Sequence, residues 1–90
     1  MNETVSTTDV ASEVRGYVID RFLFGQNTDR LSNEDSFLER HIVDSTGILE
    51  VVAFLEQRYG IRVEDEELIP DNLDSVSRIA AFVARKLAQG

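Results

Sequence analysis

Three stretches of this chain space their apolar residues three and four positions apart, and nowhere does a two-residue alternation persist. That spacing puts the apolar side chains on one face of a helix, so it dictates amphipathic helices and leaves no basis for a sheet. Val10, Val14, Tyr17, Val18 and Phe22 set a first helix over 9–23, with Ser6, Thr8 or Asp9 available as its cap. Ile48, Val52, Leu55 and Tyr59 set a second over 44–58, and Gly60 is placed to end it in a left-handed turn. Leu73, Val76, Ile79, Phe82, Val83 and Leu87 face inward from a last helix over 74–87 whose start lies within 72–74. Ile61 and Val63 alternate around Arg62 but are too few to sustain a strand.

Between these helices the pattern is looser. Gly25-Gln26-Asn27 stops the first helix, and a polar stretch then runs to Asp35 with Leu31 as its lone apolar anchor. Phe37, Leu38, Ile42 and Val43 form an apolar cluster suited to a loop, or a loop with one helical turn, pinned onto the core. A short acidic turn covers 64–68, and Pro70 is expected to end it. The expected architecture is an all-α four-helix bundle with three long helices, one short helix and a long loop between helices one and two. Residues 9–88 make the domain and 1–8 a flexible N-terminal segment. The apolar share of 42% is enough for a core built from the helix-two stripe with Val14, Val18, Ile79 and Phe82.

Function classes fall away quickly. No cysteine is present, which removes disulfides and thiolate metal sites and suits a reducing cytosol. One histidine, His41, has no evident acid partner and reads as a surface or loop-packing side chain rather than a catalytic base. A zinc site is out of reach with that ligand set. Glu64-Asp65-Glu66-Glu67 lacks the alternating ligands and central glycine of a calcium loop and reads as a solvated acidic turn. Nine basic residues against seventeen acids give a net charge of −8, which disfavours nucleic acid and favours a partner with a basic patch. The N-terminus lacks the basic start and apolar stretch of a signal peptide, and no apolar run reaches the ~20 residues of a membrane span. A cytoplasmic, monomeric protein that neither inserts in membranes nor catalyses a reaction is the expectation.

What remains is Asp44-Ser45-Thr46-Gly47-Ile48-Leu49-Glu50, where a serine sits on the first turn of an amphipathic helix just after its capping residue. Free backbone N–H groups and the positive dipole end favour a phosphate at such a place. Asp-Ser before a helix is by itself also an ordinary cap. Ser36-Phe37-Leu38-Glu39 leads through Ile42-Val43 into the pair, Glu50-Val51-Val52 and Leu55-Glu56 continue the helix, and Tyr59-Gly60-Ile61 close it. A break over 70–72 then opens onto Leu73-Asp74-Ser75-Val76 and Ile79. In this order the segments, covering 8–87, resemble the acyl carrier protein family, whose phosphopantetheine arm is esterified to the serine of an Asp-Ser pair opening the second helix. The family commonly has leucine after that serine and then often an acid. Thr46 and Gly47 depart from this, as in the Asp-Ser-Thr-Gly variants of specialised carriers, and that bears on partner identity.

The resemblance implies a covalent phosphopantetheine on Ser45, installed by a phosphopantetheinyl transferase and carrying an acyl or aminoacyl group as a thioester. Implied partners are that transferase, an acyl- or aminoacyl-loading ligase and downstream acyl-processing enzymes of lipid or secondary-metabolite biosynthesis. Asp44, Thr46, Leu49, Glu50 and Glu56 are the expected docking residues, and Phe54, also off the main buried stripe, either joins them or widens the core face. A second pair, Asp74-Ser75, is also followed by a helix, but only fifteen residues follow Ser75 against forty-five after Ser45. Its helix is basic outside, with Arg78, Arg85 and Lys86, so Ser75 is expected to be a cap or first-turn residue. The competing reading is an unmodified acidic helical adaptor that binds a basic partner protein.

Overall fold

The computed structural model describes residues 7–23 and 31–89, the side chains of 7 and 8 excepted. The cap expected at Ser6, the stop at Gly25-Gln26-Asn27 and the segment 1–6 lie outside the described residues. Four α-helices follow one another among the described residues: α1 Thr7–Phe22, α2 Ser45–Tyr59, α3 Pro70–Leu73 and α4 Val76–Gln89, with a 3-10 turn at Asp65–Glu67 between α2 and α3. No strand occurs among the described residues, and Ile61 and Val63 lie half-buried in an irregular connection. No described helix is long and apolar enough to cross a membrane.

Val10, Val14 and Val18 of α1 and Val76, Ile79, Phe82 and Val83 of α4 are all at most 1% exposed and form the centre of the core. Each such side chain contributes ~1.5–3 kcal/mol by leaving water. α2 lays Val51 and Leu55 against this pair, with Ile48, Val52 and Tyr59 half-buried beside them. Its buried stripe is thus turned from the expected Ile48–Val52–Leu55–Tyr59 line toward Gly47, Val51 and Leu55, because α1 as well as α4 covers it. Tyr17 of α1 stacks on Phe54 of α2 at 4.2 Å between ring centroids, which settles Phe54 as a helix–helix contact. At the far end of the same seam Tyr59 and Arg58 both donate to the Glu13 carboxylate.

The loop before α2 is held from several sides. Leu31 is 3% exposed, as an anchor should be, and Phe37 is fully buried. The Phe37 carbonyl accepts from Ile42 N–H at 2.9 Å and so closes one tight turn. His41 completes that turn with φ of 56°, exposed to solvent, a backbone region that histidine tolerates better than most residues. Leu38, expected to be pinned inward, is instead 41% exposed.

Two helix boundaries differ from the sequence reading. Pro70 opens α3 rather than ending the segment before it, since a proline at the first helical position forfeits no hydrogen bond. Leu73 then belongs to α3, and α4 starts only at Val76. Leu87, expected to face inward, is 36% exposed in the last turn of α4. Gly60 ends α2 as expected, at φ 68° with its N–H on the Glu56 carbonyl.

Candidate functional site

Asp44 is the cap of α2: its backbone is extended and its carboxylate accepts from Gly47 N–H at 2.7 Å. Ser45 is therefore the first helical residue, exposed, and no hydrogen bond among the described residues engages its hydroxyl. Since Asp44 satisfies the third N–H of the turn, helix geometry leaves those of Ser45 and Thr46 pointing out of the same end. Thr46 is exposed, and Gly47 is buried. A Cβ on Gly47 would come within 2.9 Å of both Phe22 Cε1 and Val43 Cγ1. Glycine there lets α1 and the preceding loop close tightly on the start of α2.

Beside Ser45 lies an open groove of about 270 Å³, lined by Ile48 and Leu49 from α2, Leu38 from the loop, and Leu68, Ile69, Pro70 and Leu73 around α3, with Asp74 at its edge. Among the described residues four large apolar side chains are exposed: Leu38 at 41%, Leu49 at 57%, Ile69 at 43% and Leu87 at 36%. Three of these four line the groove, so the uncovered apolar surface of the described residues is concentrated next to the serine. Sequence reasoning misses both Leu38, which reads as part of an apolar cluster pinned onto the core, and Ile69, which it gives no role.

The acids expected to flank the serine are distributed unevenly. Asp44 is exposed beside it. Glu50 turns toward α1 and pairs with Arg21 at 2.7 Å, and that pairing raises the guanidinium's pKa. Glu56 is half-buried and accepts from Val63 N–H at 2.9 Å, bracing the chain after α2. Around α4 the basic residues turn back onto the α3 region: Arg78 donates to the Pro70 carbonyl, Arg85 to the Asn72 amide oxygen and Lys86 to Glu67. A hydrogen bond accepted from Glu64 N–H, then the Lys86 ammonium, holds the Glu67 carboxyl below its ordinary pKa. No cluster of metal-ligating side chains occurs among the described residues.

The second Asp-Ser step is built differently. Ser75 is 3% exposed and its hydroxyl accepts from Arg78 N–H, so the serine itself caps α4. The cap reading of Ser75 holds.

No family model matches the chain. It is 31% identical to a probable acyl carrier protein, PigG, of a Serratia species, over 82% of this chain and 84% of that protein. It is 27% identical to an acyl carrier protein of Akkermansia muciniphila over 90% of this chain and 96% of the relative. An acyl carrier protein of an Arthrobacter species is 31% identical over 71% and 76%.

Proposed function

The chain belongs to the acyl carrier protein family, and from that premise we propose that Ser45 is the residue to which its phosphopantetheine arm is esterified. Membership makes the protein a carrier rather than an enzyme. One observation carries the assignment of the serine: Ser45 is exposed with an unengaged hydroxyl at the first position of α2, on the wall of the apolar groove. The residues fit such a group. The free N–H groups at the start of α2 suit a phosphodiester, and the groove offers apolar surface close by. When attached, the arm supplies a thiol that holds cargo as a thioester.

The chain's own residues have three tasks. Asp44 fixes the first turn, so that the Ser45 hydroxyl is presented without a competing partner. Asp44, Thr46 and Leu49 form the ground on which a transferase, a loading ligase and acyl-processing enzymes dock, and Glu50 and Glu56 add negative charge behind it. An exposed charge such as that of Asp44 acts mainly on encounter rates, at ~1 kcal/mol or less. The groove shelters the attached chain, and its apolar lining favours an acyl over a charged aminoacyl cargo, at ~0.8 kcal/mol for each methylene it covers.

Intact-mass measurement after incubation with coenzyme A and a broad-specificity phosphopantetheinyl transferase tests the proposal. One phosphopantetheine is expected to be added, and Ser45→Ala is expected to abolish the gain. Persistence of the modification in Ser45→Ala would place the arm elsewhere. No modification by any transferase, in a folded sample, would favour the unmodified adaptor.

A further inference from the structure

Asp74 is a carboxylate only 8% exposed, and no cation pairs with it among the described residues. Burying such a group is costly unless its oxygens are hydrogen-bonded. Its hydrogen bonds do not serve its own helix, because Ser75 is the cap of α4. They go instead to the distant loop. One carboxylate oxygen accepts from Leu38 N–H at 3.0 Å and the other from the Ser36 hydroxyl, while the Asp74 carbonyl accepts from Phe37 N–H at 2.8 Å. Three consecutive loop residues thus hang from one residue at the α3–α4 junction, two of them by charge-assisted bonds.

That loop leads directly to the serine. The Phe37 carbonyl holds Ile42 N–H, Val43 is buried next to it, and Asp44 and Ser45 follow. Leu38, whose amide Asp74 holds, stands at the edge of the groove that Ser45, Leu49 and Ile69 also line. An enzyme that closes over Ser45 must therefore rest on Leu38 as well. We propose that Asp74 is a positioning residue for the modification of Ser45: it sets the height and orientation of the Ser36–Leu38 segment, and with it the apolar lip against which a phosphopantetheinyl transferase docks. The proposal rests on Ser45 being the attachment site. It gives the second Asp-Ser step a purpose, which is to present the first.

The test measures transferase kinetics on the full chain, with coenzyme A in excess, for wild type, Asp74→Ala, Asp74→Asn and Val10→Ala. Val10 is a buried residue of α1 twelve positions from Phe22, so roughly 18 Å along the helix from the contact with the start of α2 at Gly47. It serves as a destabilised control outside the site. Asp74→Ala is expected to raise KM about tenfold, the scale of losing buried hydrogen bonds, with kcat changed less than about twofold. Asparagine keeps an acceptor for Leu38 N–H and gives the Ser36 hydroxyl a donor, so Asp74→Asn is expected to restore KM to near wild type. Val10→Ala is expected to lose stability but not KM. An unchanged KM in Asp74→Ala, an equal rise in Val10→Ala, or no rescue by asparagine would each overturn the proposal.

Should Asp74→Ala fail to fold, Ser36→Ala removes one of the two carboxylate bonds and is expected to raise KM by a smaller factor. Amide hydrogen exchange separates this proposal from the assignment of Ser45, since it needs no transferase. Exchange at 37–43 is expected to accelerate in Asp74→Ala or Ser36→Ala more than in Val10→Ala. If the loop is released in this way but the wild-type protein is never modified, the attachment site is wrong and the tether stands. If the wild type is modified and the loop is not released, the tether is wrong.

Discussion

At Asp44-Ser45 the aspartate is the cap and the serine is the first helical residue; at Asp74-Ser75 the serine is the cap and the aspartate stands outside the helix. The same dipeptide is thus read in two frames, one residue apart. In the first frame the carboxylate holds Gly47 N–H and the hydroxyl is left over. In the second the hydroxyl holds Arg78 N–H and the carboxylate is left over, which is why it can reach the loop. Surroundings complete the contrast, since Ser75 is 3% exposed while Ser45 stands on the wall of an open groove. Whether the serine hydroxyl is left free is therefore decided by which of the two side chains the helix end consumes.

Replacing each serine by alanine is expected to have opposite consequences at the two helix ends. Ser45→Ala is expected to lose the phosphopantetheine entirely with little change in stability, because its hydroxyl holds nothing. Ser75→Ala is expected to keep the modification and to lose ~0.5–2 kcal/mol, the usual cost of removing a helix cap. Mass spectrometry and urea denaturation read the two effects separately. A stable Ser75→Ala protein would mean that its hydroxyl is no more committed than that of Ser45.

Gly47 sharpens the contrast by about as much. Alanine is the better helix former by ~0.5–1 kcal/mol, but here its methyl would sit 2.9 Å from Phe22 and Val43. The Phe22 ring is half-buried and has some freedom to swing aside, whereas Val43 is 1% exposed and has none. Overpacking costs ~1–3 kcal/mol, so Gly47→Ala is expected to be net destabilising by about 1 kcal/mol in urea denaturation. A neutral or stabilised variant would show that the loop and α1 do not close on α2 as tightly as described.

How much of this was legible in the sequence differs by element. The long helices were, because Val10, Val14 and Val18, or Ile79, Phe82 and Val83, satisfy the three-four spacing without ambiguity. The frame at Asp44-Ser45 was too, since a loop preceded it and a long apolar stripe followed. Leu38 and Ile69 were not, because hydropathy does not distinguish an apolar residue that reaches the core from one that stops at a groove. Glu50 and Glu56 looked equivalent, yet one meets Arg21 and the other Val63 N–H, pairings set by how α1 and the segment after Gly60 pack. Asp74 was hardest to read: its partners are thirty-six and thirty-eight residues away, and nothing local announces them.

The smallest expected effect is a pH dependence that belongs to the second frame. Glu34 accepts from the Ser77 hydroxyl of α4 at 2.7 Å and from the Ser32 hydroxyl of the loop at 3.0 Å. Those two bonds, Ser77 first, hold its carboxyl below the ordinary glutamate value of 4.5. A depressed carboxylate pKa means that the ionised form is favoured by folding. The stabilisation is thus complete above 4.5 and is lost as pH falls through the folded-state value. Glu34→Gln should accordingly be slightly less stable than wild type at neutral pH, with the two denaturation midpoints converging as the solution is acidified below 4.5. Glu34 is exposed, so solvent screening keeps the gap small. Hydrogen exchange over 31–38 is the sensitive readout, and wild type is expected to lose protection there on acidification while Glu34→Gln lacks that step. A constant gap between the two proteins across the titration would mean that Glu34 acts through packing and not through its charge.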